Sequence, residues 1–140
     1  MAGELMGSMR VAASGLNVQS VRLRVISENL ANAHSTGETP GADPYARKLI
    51  SFASELDRAN GPNLVKVNSI THSTEPFRVE RHPSHPAADA QGFVKFPNVQ
   101  TLIELADMRE ANRSYEANLQ VIKQARDMIS MTVDLLRSGG

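Results

Sequence analysis

At 140 residues, of which 41% are apolar, the chain is long enough for one domain, and folding at this size buries roughly 70% of the surface an unfolded chain exposes. Fifteen basic and fifteen acidic side chains cancel, which removes the electrostatic footprint expected of a nucleic-acid binder or a direct lipid binder. Cysteine is absent, so disulfides, thiolate catalysis and cysteine-ligated zinc are excluded, while either redox compartment is tolerated.

The first element is a helix over residues 1–33. Its apolar stripe runs Leu5, Met9, Ala12, Leu16, Gln19, Leu23, Ile26, Leu30, Ala33 with one polar interruption, the spacing of a coiled-coil seam. Gly7, Ser8, Arg10 and Ser14 break any continuous apolar core of a secretory signal, and no window approaches a membrane span. Export from the cytoplasm would therefore have to proceed without a cleaved signal peptide.

From His34 to Pro44 turn formers accumulate, ending the helix in a loop. Between Tyr45 and Leu56 the pattern is mixed: Tyr45, Leu49, Phe52 and Leu56 suit a helix face, whereas Leu49-Ile50-Ser51-Phe52 suits a strand, which is the reading adopted. A turn at Asn60-Gly61-Pro62-Asn63 leads to a β-like stretch from Leu64 to Ile70, in which Val65 and Val67 alternate with Lys66 and Asn68. Phe77-Arg78-Val79-Glu80 continues the alternation. After Pro83, Pro86 and a turn at Asp89-Ala90-Gln91-Gly92, Phe93-Val94-Lys95-Phe96 forms a third candidate strand, stopped by Pro97.

The last element is a helix over 99–140. Thr101-Leu102-Ile103-Glu104 has capping-box spacing, with Asn98 as an earlier alternative cap. Its stripe runs Leu105, Met108, Tyr115, Leu119, Ile122, Ile129, Val133, Leu136, and Ala111 and Ala125 can carry it where Asn112 and Arg126 interrupt. Arg24/Glu28, Lys123/Asp127, Glu110/Arg113 and Asp134/Arg137 are surface pairs, each contributing only tenths of a kcal/mol. The helices would be roughly 45 and 55 Å long, so part of the longer one overhangs or meets another chain. The expected fold is mainly α with a small β-rich insert: two long terminal helices in coiled-coil-like packing flank a short-stranded middle domain. Its divisions are 1–33, 34–98 and 99–140.

Chemistry offers few footholds. Gly-rich phosphate loops and nucleophile elbows are absent, so there is no catalytic residue to name and no cofactor is expected. His82, His85 and Asp89 form the one constellation that could hold zinc or iron, and a metal-dependent hydrolase centred there is the remote alternative. The Pro-interrupted spacing argues against it, and loop histidines making backbone hydrogen bonds are the plainer reading. Asn17, Asn29, Asn32, Asn112 and Asn118 stand inside strong helical patterns. Either they face solvent at a cost of about half a kcal/mol each, or they hydrogen-bond between packed helices and set register.

Ala12-Ala13-Ser14-Gly15-Leu16, followed by Ile26-Ser27-Glu28-Asn29-Leu30-Ala31-Asn32-Ala33, resembles the N-terminal signature of bacterial flagellar rod and hook proteins. Pro44-Tyr45, His85-Pro86-Ala87-Ala88-Asp89, Gly92-Phe93-Val94, Phe96-Pro97-Asn98-Val99 and the run from Asp107 to Asn118 are similar to the proximal-rod members of that family in particular. The likeness spans nearly the whole chain. Departures are modest: Arg81-His82 stands where an acidic or apolar residue is frequent, Ala46 where Arg is common, and Phe93 and Phe96 where Tyr is usual.

The resemblance implies a structural subunit of the basal-body rod in the periplasm, exported by the flagellar type III apparatus. It implies partners in copies of the chain, other rod proteins, and membrane-ring and rod-base adaptor proteins. The alternatives within structural proteins are another rod subunit or a helical export adaptor. Under this reading inter-subunit packing falls to Leu16, Leu23, Ile26, Leu30, Met108, Tyr115, Leu119, Ile122 and Ile129. Helix-to-helix polar contacts fall to Asn29, Asn32, Asn112 and Asn118. The family-motif loop is carried by Pro44, Tyr45, His85, Pro86, Asp89, Gly92, Pro97 and Asn98.

Overall fold

The computed structural model describes residues 2–56 and 63–139. Helix α1 spans Ala2–Ala31 and helix α2 Thr101–Ser138, and between them lie strands β1 (Lys48–Leu56), β2 (Asn63–His72), β3 (Arg78–Arg81) and β4 (Phe93–Phe96). The strands form two separate two-stranded sheets, β1 with β2 and β3 with β4. Of the turn expected at 60–63, residues 60–62 lie outside the described residues and Asn63 is the first residue of β2.

Helix α1 ends where the sequence stops supplying helix formers. Asn32 N–H donates to Glu28 O at 3.1 Å and Ala33 N–H to Leu30 O at 3.3 Å, giving two carbonyls of the last turn a partner, and Ser35 N–H donates to Asn32 O at 3.2 Å just beyond it. In the first sheet the ladder is antiparallel: Ser73 N–H reaches Arg47 O at 2.7 Å, while Asn68 Nδ2 reaches Ser51 Oγ at 3.5 Å. In the second, Arg78 faces Phe96, Val79 faces Lys95, Glu80 faces Val94 and Arg81 faces Phe93. Period-two alternation then turns Val94 and Phe96 to one face, and Val94 is fully buried there while Val79 and Phe93 are exposed on the other.

The chain divides into two compact units, and both helices contribute to each. The first comprises 1–22, 51–68 and 110–140, the second 23–50 and 69–109. Buried positions in the first unit are small: Ala12, Gly15, Val18, Ala111 and Ala125. There α1 and α2 run antiparallel, because Gly15 meets Asn118 while Arg22 Nη2 lies 3.8 Å from Glu110 Oε2. The core of the second unit is Val25, Ile26, Ala33, Ala87, Val94, Pro97 and Val99, together with buried Asn29 and Glu104. Two helices thus flank two small sheets, as the alternating and helical periods imply. Among the described residues no helix is long and apolar enough to cross a membrane.

Candidate assembly interface

The second unit is organised by a polar junction. Asn29, 1% exposed, uses both ends of its amide: Oδ1 accepts from the Tyr45 hydroxyl at 2.6 Å and from Lys48 N–H at 2.9 Å. Its Nδ2 donates to Lys48 O at 3.0 Å and to Glu104 Oε2 at 3.4 Å. The Asn29 side chain therefore treats Lys48 as a neighbouring strand would, satisfying its N–H and C=O together.

Glu104, 0% exposed, receives Arg47 Nε on its other oxygen, and Arg47 Nη2 extends to Asp107 Oδ2 at 3.5 Å. Arg47 N–H donates to Asn98 Oδ1 at 2.7 Å, and Asn98 Nδ2 to Glu75 O at 2.9 Å. At the rim, Lys48 Nζ donates to Glu28 Oε2 at 2.7 Å.

Among the described residues no buried side-chain nitrogen or oxygen lacks a partner, the condition under which a buried ion pair is tolerable at all. Burial, reinforced by the nearby Glu28 and Glu104 charges, raises the Tyr45 pKa and keeps its hydroxyl a donor. The hydrogen bond from Lys48 lowers the pKa of Glu28, and the Lys48 and Arg24 charges add to the effect.

Two expectations about caps change here. The Glu104 carboxylate does not turn back to its own helix start, because the Arg47 guanidinium offers it a charge-assisted bond. Asn98 links Arg47 to Glu75 instead of capping α2.

The motif loop spends its polar groups on itself. Asp89 Oδ1 accepts from Gln91 N–H and Phe93 N–H, both at 2.9 Å, and His85 Nδ1 accepts from Ala87 N–H at 3.0 Å. Gly92 has φ 88° and lies against Pro83, where a Cβ would come within 3.1 Å, so only glycine fits. Pro97 is buried, Pro44 half-buried and Pro86 exposed. His82 pairs with Glu80 at 3.1 Å. Among the described residues no group of three or more His, Asp or Glu side chains converges as a metal cage.

Along the helices, Ile26 is buried, whereas Leu16, Leu23, Leu30, Met108, Tyr115, Leu119, Ile122 and Ile129 are half-buried. Asn32, just past the end of α1, donates Nδ2 back to Glu28 O at 2.8 Å, and Asn118 Nδ2 donates to Ser114 O of its own helix at 3.0 Å, so neither bond crosses between helices, while Asn112 is exposed. Beyond Ala125, Ile129 is the one described residue of α2 that is not exposed. Met128, Met131, Val133, Leu135 (71%) and Leu136 (74%) face solvent. Exposed apolar surface sustained over several turns marks a site of association. Arg47 and Lys48 are residues of the junction that sequence reading did not single out, and Glu104 was read only as half of a capping box. The one signal available was a basic pair before a strand and an acidic residue at a helix start.

Residues 9–37 match the family model described as flagella basal body rod protein, and residues 90–135 match the flagellar basal body rod FlgEFG protein C-terminal model. The chain is 58% identical to the flagellar basal-body rod protein FlgC of Agrobacterium fabrum, over 96% of both chains. It is 38% identical to FlgC of Salmonella typhimurium, over 94% of this chain and 97% of that one. With FlgC of Borreliella burgdorferi the identity is 35% over 95% and 98%. The chain belongs to the FlgC family of flagellar basal-body rod proteins, and its role is structural, not enzymatic.

Proposed function

We propose that this chain is a proximal-rod subunit that stacks helically with copies of itself and other rod proteins into a hollow shaft crossing the periplasm. That shaft transmits torque and lets exported axial proteins pass through its lumen. Membrane-ring and rod-base adaptor proteins are its neighbours at the base, and the flagellar type III apparatus delivers it from the cytoplasm without signal cleavage. The helical segments 1–33 and 99–140 make the axial packing, in coiled-coil-like fashion, and 34–98 forms the middle domain.

The observation that carries this reading is the unfilled apolar face of α2 from Met128 to Leu136, continued by half-buried seam residues on both helices. Burying each Leu or Ile would contribute about 1.5–3 kcal/mol, and a head-to-tail contact that does not close generates a tube. Leu16, Leu23, Leu30, Met108, Tyr115, Leu119, Ile122 and Ile129 are the seam positions assigned to neighbouring copies, whereas Ile26, expected among them, is buried in the second unit's own core and serves the chain's internal packing. No cofactor, lipid or nucleic acid enters the scheme. In cells lacking the native copy, Leu23→Asp or Leu119→Asp is expected to leave export of the chain intact while basal bodies lack it and swimming stops. Normal swimming in both variants would contradict the proposal.

A further inference from the structure

In the first unit α1 and α2 meet through small side chains, and one contact among them is unlike the rest. A Cβ built on Gly15 would lie 2.6 Å from Asn118 Nδ2 and 2.9 Å from both Cγ and Oδ1. The flat amide therefore lies directly on the glycine backbone, held there by its bond to Ser114 O at 3.0 Å. One residue earlier, Ser14 Oγ donates to Val11 O at 2.7 Å and accepts Val65 N–H of β2 at 3.2 Å. Two neighbouring positions of α1 thus fix a strand and a helix.

Asn118 is flanked at seven-residue spacing by Ala111 (0% exposed) and Ala125 (4%). Without the asparagine this stripe repeats itself. A slip of one heptad in either direction would set an alanine over Gly15, an arrangement that packs small against small about as well. What such a slip cannot accommodate is Asn118, which would be driven onto Arg22 or Ser8, each bearing a side chain where Gly15 has none.

We propose that Gly15 and Asn118 form the register key of the helix pair, a one-site fit that rejects the alternative alignments its alanine neighbours allow. This is the use of a single polar residue in an otherwise apolar seam, applied within one chain. The glycine is retained against local preference, since Ala is favoured over Gly inside a helix. Harm from Gly15→Ala must therefore come from the contact, not from the helix itself.

The functional consequence rests on the rod reading, because register sets which α2 residues reach neighbouring copies. The test is a double-mutant cycle in cells lacking the native copy, scoring the amount of chain in purified basal bodies and, separately, the amount exported. Gly15→Ala is expected to reduce incorporation by about tenfold or more, as overpacking by one methyl group does in a close contact. Asn118→Ala is expected to reduce it less, through loss of register. Gly15→Ala with Asn118→Ala should match Asn118→Ala alone, which shows that alanine at 15 is harmless once the amide is gone. Export should be unchanged throughout. Wild-type incorporation in either single variant, or additive losses in the double, would overturn the key while leaving the seam variants Leu23→Asp and Leu119→Asp as the independent measure of the rod reading.

Discussion

The polar junction around Asn29 and the final turns of α2 solve opposite problems. In the junction a glutamate and an asparagine, both fully buried, have their polar side-chain atoms satisfied by Tyr45, Arg47, Lys48 and each other. From Met128 to Leu136, by contrast, large apolar side chains face water. The comparison teaches that the chain's polar and apolar demands are met in different places: its largest fully buried side chain is a glutamate held by an ion pair, while the large apolar side chains at the end of α2 stay in water, where the proposed assembly would cover them. The junction draws its specificity from hydrogen bonds, whereas the exposed apolar face of α2 holds hydrophobic free energy that the proposed assembly would release.

Substitutions should separate the two regions. The largest effect is expected from Leu135→Asp combined with Leu136→Asp: swimming is lost, while the melting temperature of the dilute chain is unchanged because neither side chain is buried in it. Calorimetry beside a soft-agar assay checks both halves. Arg47→Ala should do the reverse, lowering stability by about 3–5 kcal/mol by stranding Glu104 without its cation, as read by urea denaturation. Asn29→Ala, which orphans the Tyr45 hydroxyl and the Lys48 backbone, should cost about 1–3 kcal/mol in the same measurement.

Tyr45→Phe should cost about 1 kcal/mol near neutrality and also change the alkaline limb. The raised Tyr45 pKa means the folded chain keeps its phenolic proton to higher pH than the unfolded chain does. That contribution is complete below about pH 10 and fades as pH rises through the folded value, a loss the phenylalanine variant should not show. The smallest effect belongs to Glu28. Its lowered pKa makes its contribution present above the ordinary carboxylate range and lost as pH falls through the folded value. Glu28→Gln should remove that acid-side slope and little else.

Much of the architecture was legible because period alone carries it. The Phe93–Phe96 strand was bounded by a glycine turn and Pro97, and alternation at Val65 and Val67 marked β2. Ala111 and Ala125 were read as carrying the α2 stripe where Asn112 and Arg126 interrupt it, and they are the two alanines of that helix the chain buries. The junction was not legible for a physical reason. Arg47 and Glu104 are 57 positions apart, and no local pattern announces a long-range ion pair. Thr101 and Glu104 imitated a capping box, and Arg47 sat in a stretch whose period fitted helix and strand alike. Asn29 could be suspected of a buried role, but an isolated asparagine reads the same whether it meets water or a strand.

Hydrogen exchange followed by mass spectrometry tests the central claim most directly, on the dilute chain and on purified rods. The account predicts that in the dilute chain amides around Asn29, Lys48 and Glu104 exchange slowly while those from Arg126 to Gly139 exchange fast, and that only in rods do the latter become protected. Slow exchange over 126–139 in the dilute chain, unchanged by assembly, would contradict it.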